Sequence, residues 1–268
     1  MTLNVSLIVP DGIVIASDSL MTLSKPINQK MNVDSLCPKC NERVEIKDVQ
    51  VPPVTVPSST FPYAQKIFDI KGKFALAVYG SAFVNSRSMF SHVLSMTAKL
   101  PDKTDAEGED YLAIICEQIK AYFDNQLKLE WQKNGTNVAL LPDTWFPFGF
   151  QLAGIAKDAT GEPVARVYNI QIGKQSASVL QTSSAFCTGD TTVVRMLWPN
   201  GNAGANIGVF SLQDAIDYAK FLIRTTADYQ RFSGQMPVVG GDIDIALVTP
   251  RRGFKWIAQK ELYRILEK

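Results

Sequence analysis

The chain contains a single histidine, His92, among its 268 residues. A serine–histidine–aspartate or cysteine–histidine site would have to use that one ring, and a three-histidine metal site is impossible within one chain. His92 stands between Ser91 and Val93 in a predicted helix, where a structural or surface role is expected. A catalytic base is therefore expected to be an amine or a carboxylate instead.

Cysteine, net charge and long apolar runs are also scarce. Four cysteines do not make a disulfide scaffold in a chain of this length, which favours a reducing cytoplasm. The formal net charge is +1, and no basic run exceeds a few residues, so no nucleic-acid partner is expected. No apolar stretch approaches the ~18 residues of a membrane span, and the N-terminus lacks the basic start of a signal peptide. The sequence predicts a cytoplasmic protein without a membrane partner.

The strand and helix patterns are those of an α+β protein. Residues 3–9 and 13–16 are typical of two strands joined by a turn, and residues 65–70 and 74–79 of a second hairpin. Helical spacing is found over four segments, about 83–99, about 106–133, 191–198 and about 212–228. Further strand patterns are found at 148–155, 165–172, 177–181, 242–248 and 254–257. We predict a four-layer α/β/β/α sandwich, with helices outside two stacked antiparallel sheets.

Residues 23–62 interrupt this order with several prolines and the sequence Cys-Pro-Lys-Cys. Cys37 and Cys40 have the spacing of half a zinc site, but no second Cys-x-x-Cys exists. Zinc would need ligands from two subunits or from carboxylates, and a plain turn with two free thiols is the favoured alternative. The sequence thus predicts one domain over 1–268, an insertion at about 23–62, and no cofactor.

Thr2 stands directly behind the initiator methionine and opens the first hairpin. If Met1 is removed, the hydroxyl and the free α-amine of one residue lie together at the mouth of a sheet. The amine, with an ordinary pKa of about 7.7–8.0, is a base that can take the hydroxyl proton. A retained Met1 would acylate the amine and remove that base.

Taken in order, these motifs resemble the proteasome β-subunit family of N-terminal nucleophile hydrolases. Thr2 leads into a strand–turn–strand hairpin, and Asp18 follows near its end. Lys66 begins Lys-Ile-Phe-Asp-Ile, Gly80 ends the partner strand, and Gly-Gly-Asp-Ile-Asp-Ile-Ala occupies 240–246. The resemblance covers most of the chain outside 23–62, and it indicates a proteasome-type relative of bacterial or archaeal kind.

The resemblance implies a role for each matched residue. Thr2 would be the nucleophile, and the Lys66 charge would lower the pKa of its hydroxyl and α-amine. Asp18 would hold Lys66 by a charge-assisted hydrogen bond, and the Gly80 N–H would stabilise the oxyanion. Thr188, in Cys-Thr-Gly where the family has a serine between two glycines, would act near the α-amine.

Four further residues are implied to bind the substrate. Thr22 would bind the substrate backbone, and Met21, Phe68 and Val78 would line the primary specificity pocket. These three side chains are apolar, which predicts cleavage after apolar residues of medium size. The alternative is that they are simply core residues.

The chain also departs from the family pattern in one place. An Asp-x-x-Ser pair is expected before Gly240, but Val238 and Val239 stand there. Asp228 and Ser233, upstream in a longer loop, could substitute for that pair.

The predicted function is that of a threonine-type peptidase of proteasome β-subunit kind, acting on peptides or unfolded proteins. The resemblance implies self-association into a ring or open spiral, and the sequence does not reveal whether an ATPase partner exists. One alternative is an amidase acting on a small amide. The other is a non-catalytic ring subunit, against which the retention of Thr2, Asp18, Lys66 and Gly80 argues.

Overall fold

The structure is a computed structural model that describes residues 2–36, 43–101, 110–198, 205–234 and 236–260, with side chains for all of these except 24–36 and 43–57. The chain divides into two compact units, one formed by Met1–Met21 with Pro62–Lys268 and the other by Thr22–Phe61. The smaller unit has nearly the bounds of the predicted insertion. The single-domain organisation over 1–268 stays a prediction.

The described residues form more strand than helix, with fourteen strands in all. In chain order these are β1 Leu3–Val9, β2 Gly12–Asp18, β3 Met21–Leu36, β4 Arg43–Phe61, β5 Ile67–Ile70, β6 Phe74–Gly80, β7 Phe83–Val84, β8 Arg87–Ser88, β9 Phe148–Lys157, β10 Pro163–Ile172, β11 Ala177–Leu180, β12 Ala185–Gly189, β13 Ile243–Thr249 and β14 Gly253–Ala258. The α-helices are α1 Met89–Thr97, α2 Tyr111–Asn134, α3 Thr192–Leu197 and α4 Leu212–Phe232.

Two five-stranded antiparallel sheets organise the larger unit. The first has the order β12-β1-β2-β13-β14, and the second has the order β11-β10-β9-β6-β5. The β1–β2 hairpin pairs Asn4 with Ser17 and Val9 with Gly12. Its turn is predicted by Pro10, Asp11 and Gly12, and Gly12 is also required because a Cβ there would lie 2.5 Å from the Val248 carbonyl oxygen.

The smaller unit contains the pair of long strands β3 and β4, which form a two-stranded sheet. The region between them includes Cys37 and Cys40, which lie outside the described residues. The zinc half-site considered for them therefore stays a hypothesis.

The helices begin and end at sequence signals. Asp110 accepts hydrogen bonds from the first-turn N–H groups of α2, and Gly135 ends that helix in the left-handed conformation at φ 62°. Ser211 and Asp214 form the capping box expected at the start of α4. The helix predicted over about 83–99 begins only at Met89, because residues 83–88 form the short β7–β8 hairpin.

The predicted α+β class with a four-layer α/β/β/α sandwich is wrong for this chain. The described residues form fourteen strands, arranged in antiparallel sheets, and only four α-helices, and the long strands β3 and β4 fill the predicted insertion at about 23–62. Helical and strand periodicities identify single elements, but they carry little information on how elements assemble into layers. None of the helices that the structure describes combines the length and apolar character needed to cross a membrane.

His92 has the structural role expected of it. The ring is buried in α1, with Nδ1 3.1 Å from the Tyr122 hydroxyl and Nε2 3.0 Å from the Val84 carbonyl oxygen. Burial lowers the pKa of His92, which favours the neutral ring in this packing.

Candidate active site

Thr2 and Asp18 meet at one end of the first sheet. Thr2 precedes β1 and Asp18 ends β2, and an antiparallel hairpin places such positions side by side. Thr2 is 2% exposed and Asp18 is fully buried. The Thr2 hydroxyl donates a short hydrogen bond to Asp18 Oδ1, which also accepts from the Leu3 N–H at 2.9 Å. The hydroxyl is thus held in one orientation by a buried carboxylate.

Lys66 reaches this pair from the second sheet, where it stands directly before β5. Its Nζ lies 2.6 Å from Thr2 Oγ1, 2.8 Å from Asp18 Oδ1 and 2.7 Å from the Leu20 carbonyl oxygen. These three acceptors match the three donors of an ammonium group. Three residues that are far apart in the sequence therefore form one buried cluster, which we call the Thr2 cluster: Thr2, Asp18 and Lys66.

Burial lowers the pKa of Lys66 because an apolar surrounding disfavours the charged amine. The ion pair with Asp18 acts in the opposite direction but does not cancel the effect of burial. A lysine of lowered pKa gives up its proton more readily than an ordinary lysine does. In the described arrangement Lys66 donates to Thr2 Oγ1 and the hydroxyl donates to Asp18. Lys66 can accept the hydroxyl proton only in its neutral form, which its lowered pKa favours.

The second oxygen of Asp18 fixes the surrounding backbone. Asp18 Oδ2 accepts from the Leu20 N–H at 3.1 Å and from the Gly240 N–H at 3.0 Å. The Gly-Gly sequence at 240–241 thus contributes a backbone donor to the site. Hydrogen bonds to an ionised carboxylate are among the stronger ones in proteins, so this arrangement holds Asp18 rigidly.

Gly80 lies at the end of β6 with φ 89°, a conformation that favours glycine. A Cβ there would lie 2.4 Å from the Pro147 carbonyl oxygen. Asn4 connects the two sheets close by, since its Nδ2 donates to the Val78 carbonyl oxygen at 3.1 Å. Among the residues described, no hydrogen bond joins Gly80 to the Thr2 cluster, and its oxyanion role stays a prediction.

Thr188 belongs to a different buried chain of polar side chains. Its hydroxyl accepts from Gln151 Nε2 at 2.9 Å, and Gln151 Oε1 accepts from the Ser6 hydroxyl at 2.6 Å. Thr188 faces Asn4 across the β1–β12 pairing. The structure therefore places Thr188 in the neighbouring strand but bonds it to Gln151, and a role near the α-amine stays a prediction.

The residues predicted to bind substrate are dispersed. Phe68 and Val78 are buried in a hydrophobic cluster shared with α1 and α2, and the ring of Phe68 lies 5.9 Å from that of Phe90. Met21 is partly buried at the start of β3, whereas Thr22 is the first residue of the smaller unit. The placement of Phe68 and Val78 is that of core residues, and their part in a specificity pocket stays a prediction.

Gln230 and its hydrogen-bond partners connect two segments of the site, and the sequence did not indicate these contacts. We call this set of contacts the Gln230 clamp. The Asp190 N–H donates to the Thr2 carbonyl oxygen at 2.6 Å, and Gln230 Nε2 donates to Asp190 Oδ2 at 2.9 Å. Gln230 Oε1 accepts from the N–H groups of Val238 and Val239, each at 2.9 Å. Gln230, near the end of α4, thus connects the loop that binds Thr2 with the segment that leads to Gly240.

Asp228 and Ser233 are the residues that the sequence predicts as substitutes for the Asp-x-x-Ser pair before Gly240, but the described side-chain contacts to Val238 and Val239 come from Gln230. The Ser233 hydroxyl instead donates to the Gln230 carbonyl oxygen at 2.9 Å and caps α4. Asp228 takes no part in the hydrogen bonds of the site as far as the described residues show. A glutamine can donate and accept at once, which explains how one side chain serves two loops.

A second buried ion pair lies beside the site. Lys260 Nζ contacts Asp244 Oδ2, and the Lys260 N–H donates to Asp244 Oδ1 at 3.0 Å. Asp244 faces Ser17, the neighbour of Asp18, across the β2–β13 pairing. The pair anchors the chain after β14 to the first sheet, and nothing in the sequence pattern signalled it.

The chain matches no protein-family model and no curated protein sequence. Among solved structures it is similar to a mutant of Anbu from Hyphomicrobium sp. strain MC1, with a TM-score of 0.55 and 13% identity over 100% of this chain and 89% of that chain. It is also similar to Anbu from the same strain, with a TM-score of 0.52 and 14% identity over 96% of this chain and 86% of that chain. For Anbu (ancestral beta-subunit) from Yersinia bercovieri the TM-score is 0.46, with 13% identity over 96% and 88% of the two chains.

At these identities the likeness shows the fold alone. The chain has a proteasome-like fold of the Anbu kind. This corrects the assignment to the β-subunit family of N-terminal nucleophile hydrolases that the motifs suggested, since the similar structures are Anbu proteins and no family model matches. A few residues at suitable spacings specify a local arrangement of side chains, but they do not specify a family.

Proposed function

We propose that the protein is a hydrolase that cleaves peptide bonds with the Thr2 hydroxyl as its nucleophile. The observation that carries this proposal is the Thr2 cluster, in which a buried lysine amine and a buried carboxylate both contact that hydroxyl. A threonine hydroxyl is a weak nucleophile until a nearby base accepts its proton. Lys66 Nζ, at 2.6 Å and with a lowered pKa, is suited to that task.

The reaction would proceed through an ester. The proton of Thr2 Oγ1 passes to Lys66 while Oγ1 attacks the carbonyl carbon, and the carbonyl oxygen becomes an oxyanion near a backbone N–H such as that of Gly80. Collapse of this intermediate breaks the C–N bond, and the proton goes to the leaving amine. A water molecule then hydrolyses the ester and restores the hydroxyl.

The proposal includes removal of Met1, which lies outside the described residues. Removal would place the α-amine of Thr2 beside its own hydroxyl as a second basic group.

The substrate proposed is a peptide or unfolded protein cleaved after an apolar residue. Met21, the first partly exposed apolar residue after Asp18 in the chain, is the candidate to contact that residue. Fluorogenic peptides ending in leucine or tyrosine should be cleaved faster than peptides ending in arginine or glutamate. A preference for the charged set would refute the specificity while leaving the nucleophile in place.

The direct test compares the wild type with Thr2→Ala on these peptides and on small amides. We expect the peptidase rate to fall at least about 10³-fold, because the nucleophile is absent. Cleavage of small amides alone would favour an amidase. A wild type that cleaves neither class would contradict the proposal and favour a non-catalytic subunit.

We further propose that copies of the chain associate, as a ring or a spiral would require. Large apolar side chains on α1 are exposed, among them Phe90 at 44% and Leu94 at 54%. Light scattering should give a mass of several chains, and the double change Phe90→Ser and Leu94→Ser should reduce it. Leu140→Ser, at another exposed apolar position, is the control that should leave the mass unchanged. The same sample can be examined for an associated ATPase partner.

A further inference from the structure

A groove lies at the end of the first sheet that is opposite to the Thr2 cluster. It measures about 510 Å³ and is formed by the β1–β2 turn, the β13–β14 turn and the first residue of α4. That volume is within the range of small-ligand and short-peptide sites. Because β1 has seven residues that each rise about 3.3 Å, roughly 25 Å separate the groove from Thr2. The groove is therefore not part of the proposed active site.

The floor of the groove is apolar. Leu212, Leu247 and Ile257 line it, and Ile257 is 41% exposed. Among the residues described, α4 packs mainly across β1 and β2 and far less against the edge strand β14, which leaves Ile257 partly exposed. An apolar side chain of a partner would find contacts on this floor.

The rim of the groove is basic. Arg251, Arg252 and Lys255 all line it and are all exposed. None of the three has an ion-pair partner among the residues described, whereas Lys120, Lys128 and Arg166 elsewhere on the chain do. Asp11 is the one carboxylate among the lining residues. The groove therefore carries a local excess of positive charge on a chain whose net charge is +1.

The turn that bears the two arginines is held in place before any ligand arrives. The Phe254 N–H donates to the Gly72 carbonyl oxygen at 3.0 Å, which ties the β13–β14 turn to the β5–β6 turn. Gly253 has φ 60°, and a Cβ there would lie 2.3 Å from the same carbonyl oxygen. A preformed rim loses less conformational entropy when it binds than a mobile one.

We propose that this groove binds an acidic peptide segment of a partner protein, in which apolar side chains are flanked by carboxylates. The apolar floor would take the apolar side chains, and the arginines would pair with the flanking carboxylates. A bare inorganic anion would use the rim but leave the floor empty, so the combination of both features favours a peptide. This site requires no activity at Thr2.

The test is fluorescence anisotropy of a fluorescein-labelled peptide, Glu-Asp-Leu-Leu-Glu-Asp, titrated with the full chain. We expect saturable binding that the double change Arg251→Ala and Arg252→Ala weakens about tenfold. The matched control is Lys99→Ala with Arg224→Ala, which removes two exposed charges elsewhere and should leave binding within about twofold. Ile257→Ser, at an exposed floor position, should weaken binding at least about threefold.

Two further probes separate the peptide from simpler explanations. Glu-Asp-Ser-Ser-Glu-Asp should bind at least about threefold more weakly, and inorganic pyrophosphate should not displace the leucine peptide at equal concentration. Any one of four results would overturn the proposal. These are binding of the serine peptide as tight as that of the leucine peptide, displacement of the leucine peptide by pyrophosphate, a loss of binding in the control pair equal to that in the arginine pair, and no binding at all. Circular dichroism of every variant checks that the fold is retained.

Discussion

At the scale of single residues, the chemistry proposed depends most on Lys66. Its Nζ contacts the Thr2 hydroxyl, the Asp18 carboxylate and a backbone carbonyl, so replacement removes both a positive charge and a proton acceptor. We predict that Lys66→Met lowers the peptidase rate at least about 10²-fold. Because it leaves the buried Asp18 carboxylate unpaired, it should also lower the free energy of unfolding by about 3–5 kcal/mol.

Lys66→Arg separates the two tasks of this residue. The guanidinium keeps a positive charge beside Asp18 but does not give up its proton. We expect the arginine variant to recover part of the lost stability and little of the lost rate. Full activity in Lys66→Arg would show that Lys66 acts only through its charge, and it would move the role of base to the α-amine.

Gln230 is predicted to position the site without touching the substrate. Gln230→Ala removes the contacts to Asp190 and to the Val238 and Val239 N–H groups, which leaves backbone donors unsatisfied at a cost of about 1–3 kcal/mol. The maximal peptidase rate should fall about tenfold while KM changes little.

The control for this prediction is on the same helix. Gln213 bonds to Asp217 on the exposed face of α4, so Gln213→Ala should leave rate and stability unchanged. If Gln230→Ala lowers stability yet leaves the maximal rate unchanged, the clamp is structural only.

At the scale of elements, the close approach of β12 to the start of β1 depends on Gly189. Its φ is 88°, and a Cβ there would lie 1.9 Å from the Thr2 carbonyl oxygen. We predict that Gly189→Ala displaces Thr2 and lowers the peptidase rate at least about tenfold, because small displacements of a reacting group are costly.

Gly135 offers a matched comparison, since it also has a positive φ, of 62°, but no atom lies within 4 Å of the position of its Cβ. Gly135→Ala should therefore cost about 1 kcal/mol of stability through backbone strain and leave the rate unchanged. Equal losses of rate in the two variants would show that backbone strain, not contact with Thr2, is responsible.

The elements also show how far the sequence determines the site. The grouping of Thr2, Asp18 and Lys66 was implied by the resemblance to a known family. Hairpin pairing alone explains why Thr2 and Asp18 meet, whereas Lys66 stands before β5 in the other sheet. Gln230 and the Asp244–Lys260 pair could not be predicted, because their contacts depend on where α4 and the chain after β14 come to lie. The alternation of Leu3, Val5 and Leu7 gave the strand β1, but the same kind of pattern did not specify the stacking of the sheets.

At the scale of the whole molecule, the lowered pKa of Lys66 links protonation to stability. The unfolded chain binds a proton at this residue up to an ordinary pKa of about 10.4, whereas the folded chain releases it at lower pH. Between those two values the unfolded state holds more protons, so the contribution of Lys66 to folding becomes more favourable as pH rises and is lost as pH falls through the folded pKa.

Urea unfolding of the wild type and of Lys66→Met across alkaline pH measures this linkage. We predict that the difference in unfolding free energy between the two increases with pH up to about 10.4. A difference that decreases with pH would show that the ion pair with Asp18 outweighs burial and that the pKa of Lys66 is raised.

The most direct test of the proposed nucleophile is the intact mass of the purified chain after incubation with a peptide epoxyketone. Such reagents form a ring with the hydroxyl and the free amine of an N-terminal threonine, so one adduct reports the removal of Met1, the nucleophile and access to it together. We predict a mass that lacks Met1 and carries one adduct, which is absent in Thr2→Ala. A chain that retains Met1 and carries no adduct would contradict the proposal that Thr2 is a catalytic nucleophile.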